Sequence, residues 1–149
     1  MKNKALFVDR DGTINRDCPY CKDPSQIVLY DDAVEIMKDF QNKGYLIIII
    51  TNQSGINRGY FTIDEFMNFQ DVLLGMLLER GVKVVDTFYC PHRPDENCKC
   101  RKPKTGMIED AVKKYDINLS ESVILGDRDD MEGEIGRRLG MRYVILHRV

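Results

Sequence analysis

The chain has 149 residues, with 22 Lys plus Arg against 24 Asp plus Glu and 43% hydrophobic residues. That length fits one domain, 1–149, able to bury a real core, and the formal charge of −2 argues against a general binder of phosphate backbones. The longest apolar run, Tyr45 to Ile50, falls far short of the ~20 residues of a membrane helix, and only Ala5 to Val8 precede Asp9, too few for a secretory region. A monomeric, cytoplasmic protein without a membrane partner is expected.

Short β-rich runs alternate with amphipathic ones. Ala5-Leu6-Phe7-Val8 is a buried strand. Ala33, Ile36, Met37 and Phe40 share one helix face, with Asp31-Asp32 as cap and Gly44 as stop. Tyr45 to Ile50 is apolar on both faces, as in a central parallel strand. Thr62-Ile63-Asp64-Glu65 is a capping box for a helix that turns Phe66, Phe69, Leu73 and Leu77 inward and closes near Gly81. Val84 to Tyr89 is a third strand, and Met107 to Tyr115 a third helix. Ser122 to Leu125, residues 131–139 and Arg142 to Leu146 then read as strand, helix and strand. This order predicts a doubly wound, mainly parallel, Rossmann-like α/β sheet, with ligands outside the carboxyl ends of the strands. The polar clusters fall there: Asp9-Arg10-Asp11, Thr51-Asn52-Gln53 and Asp127, with a cysteine-rich loop after the third strand.

Asp9 and Asp11 repel each other unless a cation or shared proton compensates. A hard cation such as Mg2+ takes oxygen ligands and binds substrate phosphate, Asp9 could act as nucleophile, and Asp11 as general acid and base. An isolated pair of this spacing more often marks a turn with solvated charges. Cys90, His92, Cys98 and Cys100 offer three thiols and an imidazole in a polar loop, 90–100, which suits structural, tetrahedral Zn2+. That loop runs straight into Arg101-Lys102.

Asp9-Arg10-Asp11-Gly12-Thr13-Ile14 resembles the first motif of haloacid dehalogenase superfamily phosphatases. Thr51-Asn52-Gln53-Ser54-Gly55 resembles the second motif, Arg101-Lys102-Pro103 the lysine motif and Gly126-Asp127-Arg128 the acidic fourth. The resemblance spans about the whole chain and implies a Mg2+-dependent phosphomonoesterase working through an aspartyl-phosphate. By that resemblance Asp9 is the nucleophile and Asp11 the acid/base. The Asp9 carboxylate, the Asp11 carbonyl and Asp127 hold Mg2+, while Thr51, the Asn52 amide, Gln53 and Lys102 meet the phosphoryl group. Relatives often carry a second acid four positions after Asp127; here Met131 stands there, with Asp129, Asp130 and Glu132 nearby.

The cysteine loop resembles the compact branch without a cap domain, whose members act on D-glycero-D-manno-heptose 1,7-bisphosphate or histidinol phosphate. Ser54-Gly55-Ile56-Asn57-Arg58-Gly59 looks like the first, and the short gap from His92 to Cys98 like the second. The expected partner is a small phosphorylated metabolite, with Arg58 and Arg101 as candidates for its remote part. A nucleic-acid 3′-phosphatase is a further alternative, disfavoured by the charge. A phospho-Asp signalling module without turnover is the alternative from another class. Cys18-Pro19-Tyr20-Cys21 has the spacing of a glutaredoxin dithiol, but the flanking residues fit neither the strand before it nor the helix after it.

Overall fold

The computed structural model describes residues 2–148. Five strands, β1 (Ala5–Val8), β2 (Leu46–Asn52), β3 (Val84–Cys90), β4 (Val123–Gly126) and β5 (Arg142–Ile145), form one sheet in the order β3-β2-β1-β4-β5. Every pairing is parallel, with Val8 opposite both Ile49 and Leu125. The helices are α1 (Asp31–Asn42), α2 (Ile63–Glu79), α3 (Gly106–Tyr115) and α4 (Glu134–Leu139). None is long and apolar enough to cross a membrane among the described residues.

Successive side chains of a strand point to opposite faces, and both faces of this sheet are covered. Leu6, Val8, Ile47 and Ile49 pack with Met37 of α1 and Phe69, Leu73 and Leu77 of α2. Ala5, Phe7, Ile48 and Ile50 pack with Met107, Ile108 and Ala111 of α3 and Ile135 of α4. The unbroken apolar run of β2 is thus accounted for. The capping box forms as expected: Glu65 N–H donates to Thr62 Oγ1, and Thr62 N–H to the Glu65 carboxylate.

Most boundaries shift by one residue from expectation, and three differences bear on the site. The residue capping α1 is Tyr30, which makes no side-chain cap; Asp31 and Asp32 lie in the first turn, where they favour the helix dipole. Strand β2 runs two residues further, through Thr51 and Asn52. The fourth helix starts at Glu134 rather than 131, because Asp129–Gly133 form a π-helical turn.

The chain travels from β1 outward to β3, then returns to the other side of β1 for β4 and β5. The strand order therefore reverses between β1 and β4, where crevices open in such sheets. Phe7, fully buried at that junction, sets a test: Phe7→Ala is expected to cost about 3–5 kcal/mol. It should lower the urea midpoint without changing the slope of the unfolding transition.

Candidate active site

The crevice is a cleft of about 300 Å3 lined by Asp9, Asp11, Thr51, Lys102, Asp127 and Glu132, among others. Just past β1 the chain turns sharply: Arg10 O accepts from the N–H groups of Thr13, Ile14 and Asn15. Gly12 sits at φ +92°, and a Cβ there would lie 2.5 Å from Asp127 Oδ2, so only glycine lets the turn approach β4 this closely. Thr13 Oγ1 donates across the crevice to Asp127 Oδ1 at 3.0 Å.

Asp11 is held from two sides. Arg10 donates to both its carboxylate oxygens at 2.9 and 2.8 Å, and Gln53 Nε2 donates at 3.0 Å. Gln53 also donates to Thr51 Oγ1. Arg10 is itself buried, with its guanidinium 4.6 Å from the Phe69 ring centroid and a bond to Gln70 Oε1 of α2.

Lys102 is 4% exposed. Its Nζ donates to Asp9 Oδ1 at 2.7 Å, Glu132 Oε2 at 2.8 Å and Ile50 O at 3.2 Å. The Asn52 side chain holds the Lys102 backbone, accepting from its N–H and donating to its carbonyl. The Asn52 side chain thus positions the lysine.

The π-helical turn answers the question left by Met131. Arg128 O accepts from the N–H groups of Met131, Glu132 and Gly133, and the extra residue in the turn brings Glu132, five positions after Asp127, into the cleft. Glu132 is 1% exposed, and its carboxylate packs against Gly126, where any side chain would collide. Asp130 points outward to Arg128 and Asp129 to Arg137.

Asp9, Asp127 and Glu132 each offer an oxygen within 4.8 Å of the others. That spread is near the ~4 Å between opposite ligands of a six-coordinate Mg2+. Burial pushes the Asp9 carboxyl well above the usual carboxylate range; Lys102 pulls it down, and Glu132 and Asp127 push it up. Burial also opposes charge on Lys102, yet Asp9 and Glu132 outweigh it and hold the ammonium above its ordinary range. Lys102 is therefore the cluster's fixed cation, and three carboxylates outnumber it. A hard divalent cation fits this donor set.

Cys90, His92, Cys98 and Cys100 converge in a second group. A tetrahedral zinc site places sulfurs about 3.8 Å apart and sulfur about 3.5 Å from nitrogen. Here Cys90 Sγ lies 3.7 Å from Cys98 Sγ, and His92 Nδ1 lies 3.3 and 3.2 Å from the sulfurs of Cys90 and Cys100. Cys90 and Cys100 sulfurs are in bonding contact, with Cα atoms 5.6 Å apart, so this pair can also close as a disulfide. Arg101 leaves the loop facing the cleft and donates to His92 O. Arg58 is not among the residues lining the cleft; it donates to Ser54 Oγ, which is.

One participant carried no signal in the sequence. Arg148 donates to the carbonyls of Gly12 and Thr13 at 3.1 and 2.8 Å and to both oxygens of Asp32, and it stacks 3.6 Å from the Tyr30 ring centroid. It tethers the Asp9–Thr13 loop from behind. Gln70 was equally silent, and so was its bond to Arg10, since buried polar partners on separate elements leave no local spacing to read.

The chain is similar to known proteins in sequence and fold. The family described as polynucleotide kinase 3 phosphatase matches residues 7–134. A Thermoplasma acidophilum protein is 53% identical over 96% of this chain and 89% of its own; its name reads "probable D-glycero-D-manno-heptose-1,7-bisphosphate 7-phosphatase". A Haemophilus influenzae D-glycero-beta-D-manno-heptose-1,7-bisphosphate 7-phosphatase is 35% identical over 96% of this chain and 82% of its own. Among solved structures, D,D-heptose 1,7-bisphosphate phosphatase from B. bronchiseptica, complexed with magnesium and phosphate, superposes with a TM-score of 0.86. It is 29% identical, over 95% of this chain and 79% of that one. The chain belongs to this phosphatase family, within the haloacid dehalogenase superfamily and its branch without a cap.

The Arg148 tether is testable. Arg148→Ala is expected to lower kcat for phosphate release about tenfold, the effect of ~1.4 kcal/mol, with KM little changed. Arg148→Lys should recover part of the loss. An unchanged kcat in the alanine variant would mean the loop holds itself.

Proposed function

We propose that the chain removes the 7-phosphate of D-glycero-D-manno-heptose 1,7-bisphosphate, through a phosphoryl group carried on Asp9. The carrying observation is the cleft at the strand reversal, where Asp9, Asp11 and Lys102 stand together in a chain 53% identical to a relative bearing that name. Asp9 attacks phosphorus with one carboxylate oxygen as the bond to the sugar oxygen breaks. Asp11, oriented by Arg10 and Gln53, gives that oxygen its proton. Water then attacks the phosphorus of the aspartyl-phosphate, Asp11 takes its proton, and phosphate leaves as Asp9 is restored. Lys102, Thr51 and the Asn52 N–H compensate charge on the phosphoryl oxygens. Mg2+ held by Asp9, Asp127 and the Asp11 carbonyl, with Glu132 beside them, would supply further charge neutralisation.

Zn2+ on Cys90, His92, Cys98 and Cys100 is part of the same reading: it would order a polar loop whose exit residues are Arg101 and Lys102. Freshly purified protein should then carry about one equivalent of zinc. A metal-free protein with a Cys90–Cys100 disulfide in its peptide map would overturn this assignment.

The family description keeps a second reading in view, hydrolysis at nucleic-acid 3′ ends. Phosphate release should therefore be measured with Mg2+ on both anomers of the heptose bisphosphate, fructose 1,6-bisphosphate, histidinol phosphate and a 3′-phosphorylated oligonucleotide. The heptose bisphosphate should stand well above the rest, and Asp9→Asn should reduce release to background. Preference for the oligonucleotide would replace the proposed substrate, and release equal to the Asp9→Asn blank on every substrate would favour a signalling module.

A further inference from the structure

The Cys18–Cys21 pair takes no part in the chemistry described so far, yet it lines the same cleft as Asp9, Asp11 and Lys102. The two cysteines are paired, with Cα atoms 5.5 Å apart, inside the range a disulfide spans. Between them the backbone makes a β-turn closed by Cys21 N–H donating to Cys18 O. Pro19 occupies the second turn position, which suits its fixed φ, and Tyr20 the third at φ +58°. A turn of that kind calls for glycine or asparagine at the third position. A bulky side chain held there is an outlier that persists only when its surroundings impose it.

The imposed conformation has a consequence at the rim. The half-exposed Tyr20 ring meets Tyr60 edge-on with centroids 4.7 Å apart, and the Arg58 guanidinium lies 5.9 Å from the Tyr20 centroid. Tyr20 belongs to the loop after β1, whereas Arg58 and Tyr60 belong to the loop after β2. The aromatic contact therefore bridges the two loops that border the cleft.

We propose that Cys18 and Cys21 form a thiol–disulfide exchange site whose oxidised state fixes Tyr20 as a wall for the remote part of the substrate. The co-reactant is a low-molecular-weight disulfide. The thiolate of one cysteine attacks a sulfur of that disulfide, breaks its S–S bond and releases one thiol. The second cysteine then attacks the mixed disulfide, forms the Cys18–Cys21 bond and releases the other thiol. Two cysteine protons end on the two released thiols, and two electrons pass from the cysteine pair to the small disulfide. Reduction by two equivalents of thiol reverses both steps and frees Tyr20 to leave the left-handed region. This deepens the proposed function by naming what governs the outer part of that cleft.

The test compares protein oxidised with glutathione disulfide and protein reduced with glutathione, with thiol titration and zinc content recorded for both. Amide hydrogen exchange across residues 17–22 needs no turnover and separates this proposal from the catalytic one. It should quicken at least about tenfold on reduction. KM for the heptose bisphosphate should rise about three- to tenfold, the effect of losing one aromatic contact. KM for p-nitrophenyl phosphate, too short to reach Tyr20, should hold constant. Cys18→Ser combined with Cys21→Ser should match the reduced protein under both conditions, and Tyr20→Ala should raise KM in the oxidised form. Exchange rates equal in the two redox forms, or a redox effect that persists in the double serine variant, would overturn the proposal.

Discussion

Everything in the cleft depends on one buried ammonium. Lys102 sits where three strand ends meet and bridges Asp9 of the β1 end to Glu132 of the segment after β4, with Ile50 O of β2 as its third acceptor. A buried cation persists only when paired and fully hydrogen-bonded, so these three strand ends cannot drift apart without stranding a charge. The same grouping gathers three carboxyl groups around one ammonium, a donor set that fits a divalent cation.

Around that centre, side chains on separate elements hold backbone as much as they hold substrate. Asn52 clamps the lysine's own peptide groups, Gln53 links Thr51 to Asp11, and Arg10 carries Asp11 on a guanidinium anchored against α2. Glycines set the spacing: Gly12 lets the first loop reach Asp127, and Gly126 leaves room for Glu132. The side chains of the cleft are therefore positioned by contacts within the protein itself, as the proposed catalysis by orientation and charge requires.

The sheet was legible because β2 is apolar on both faces and the helices carry one apolar stripe each, signals that survive without tertiary context. The loops of the cleft were legible because Asp9-Arg10-Asp11-Gly12 and Thr51-Asn52 are short strings at strand ends, and Arg101-Lys102 follows directly on the cysteine loop. Glu132 was harder. A count that assumes α-helical progression after Asp127 falls on Met131, and only a π-helical turn moves the inward position by one. The inward Glu132 side chain packs against Gly126 of β4, a contact between separate elements that no local spacing announces. Arg148 left no trace at all, because its partners Gly12, Thr13 and Asp32 offer carbonyls and one carboxylate more than 100 positions away.

The tether from Arg148 to Gly12 spans 136 positions, and that distance is also an interval of time. At about 5–20 residues per second, the ribosome makes Arg148 roughly 7–27 seconds after Gly12. During that interval β1 lacks its β4 neighbour as well, since the sheet grows outward from β1 on one side before the other side exists. Asp9 is thus among the first residues of the cleft to be synthesised, and its loop is among the last to gain its full set of contacts. A nascent chain carries Asp9 in an unfinished loop, and the cleft gains its full set of contacts only as the fifth strand joins the sheet and Arg148 follows it.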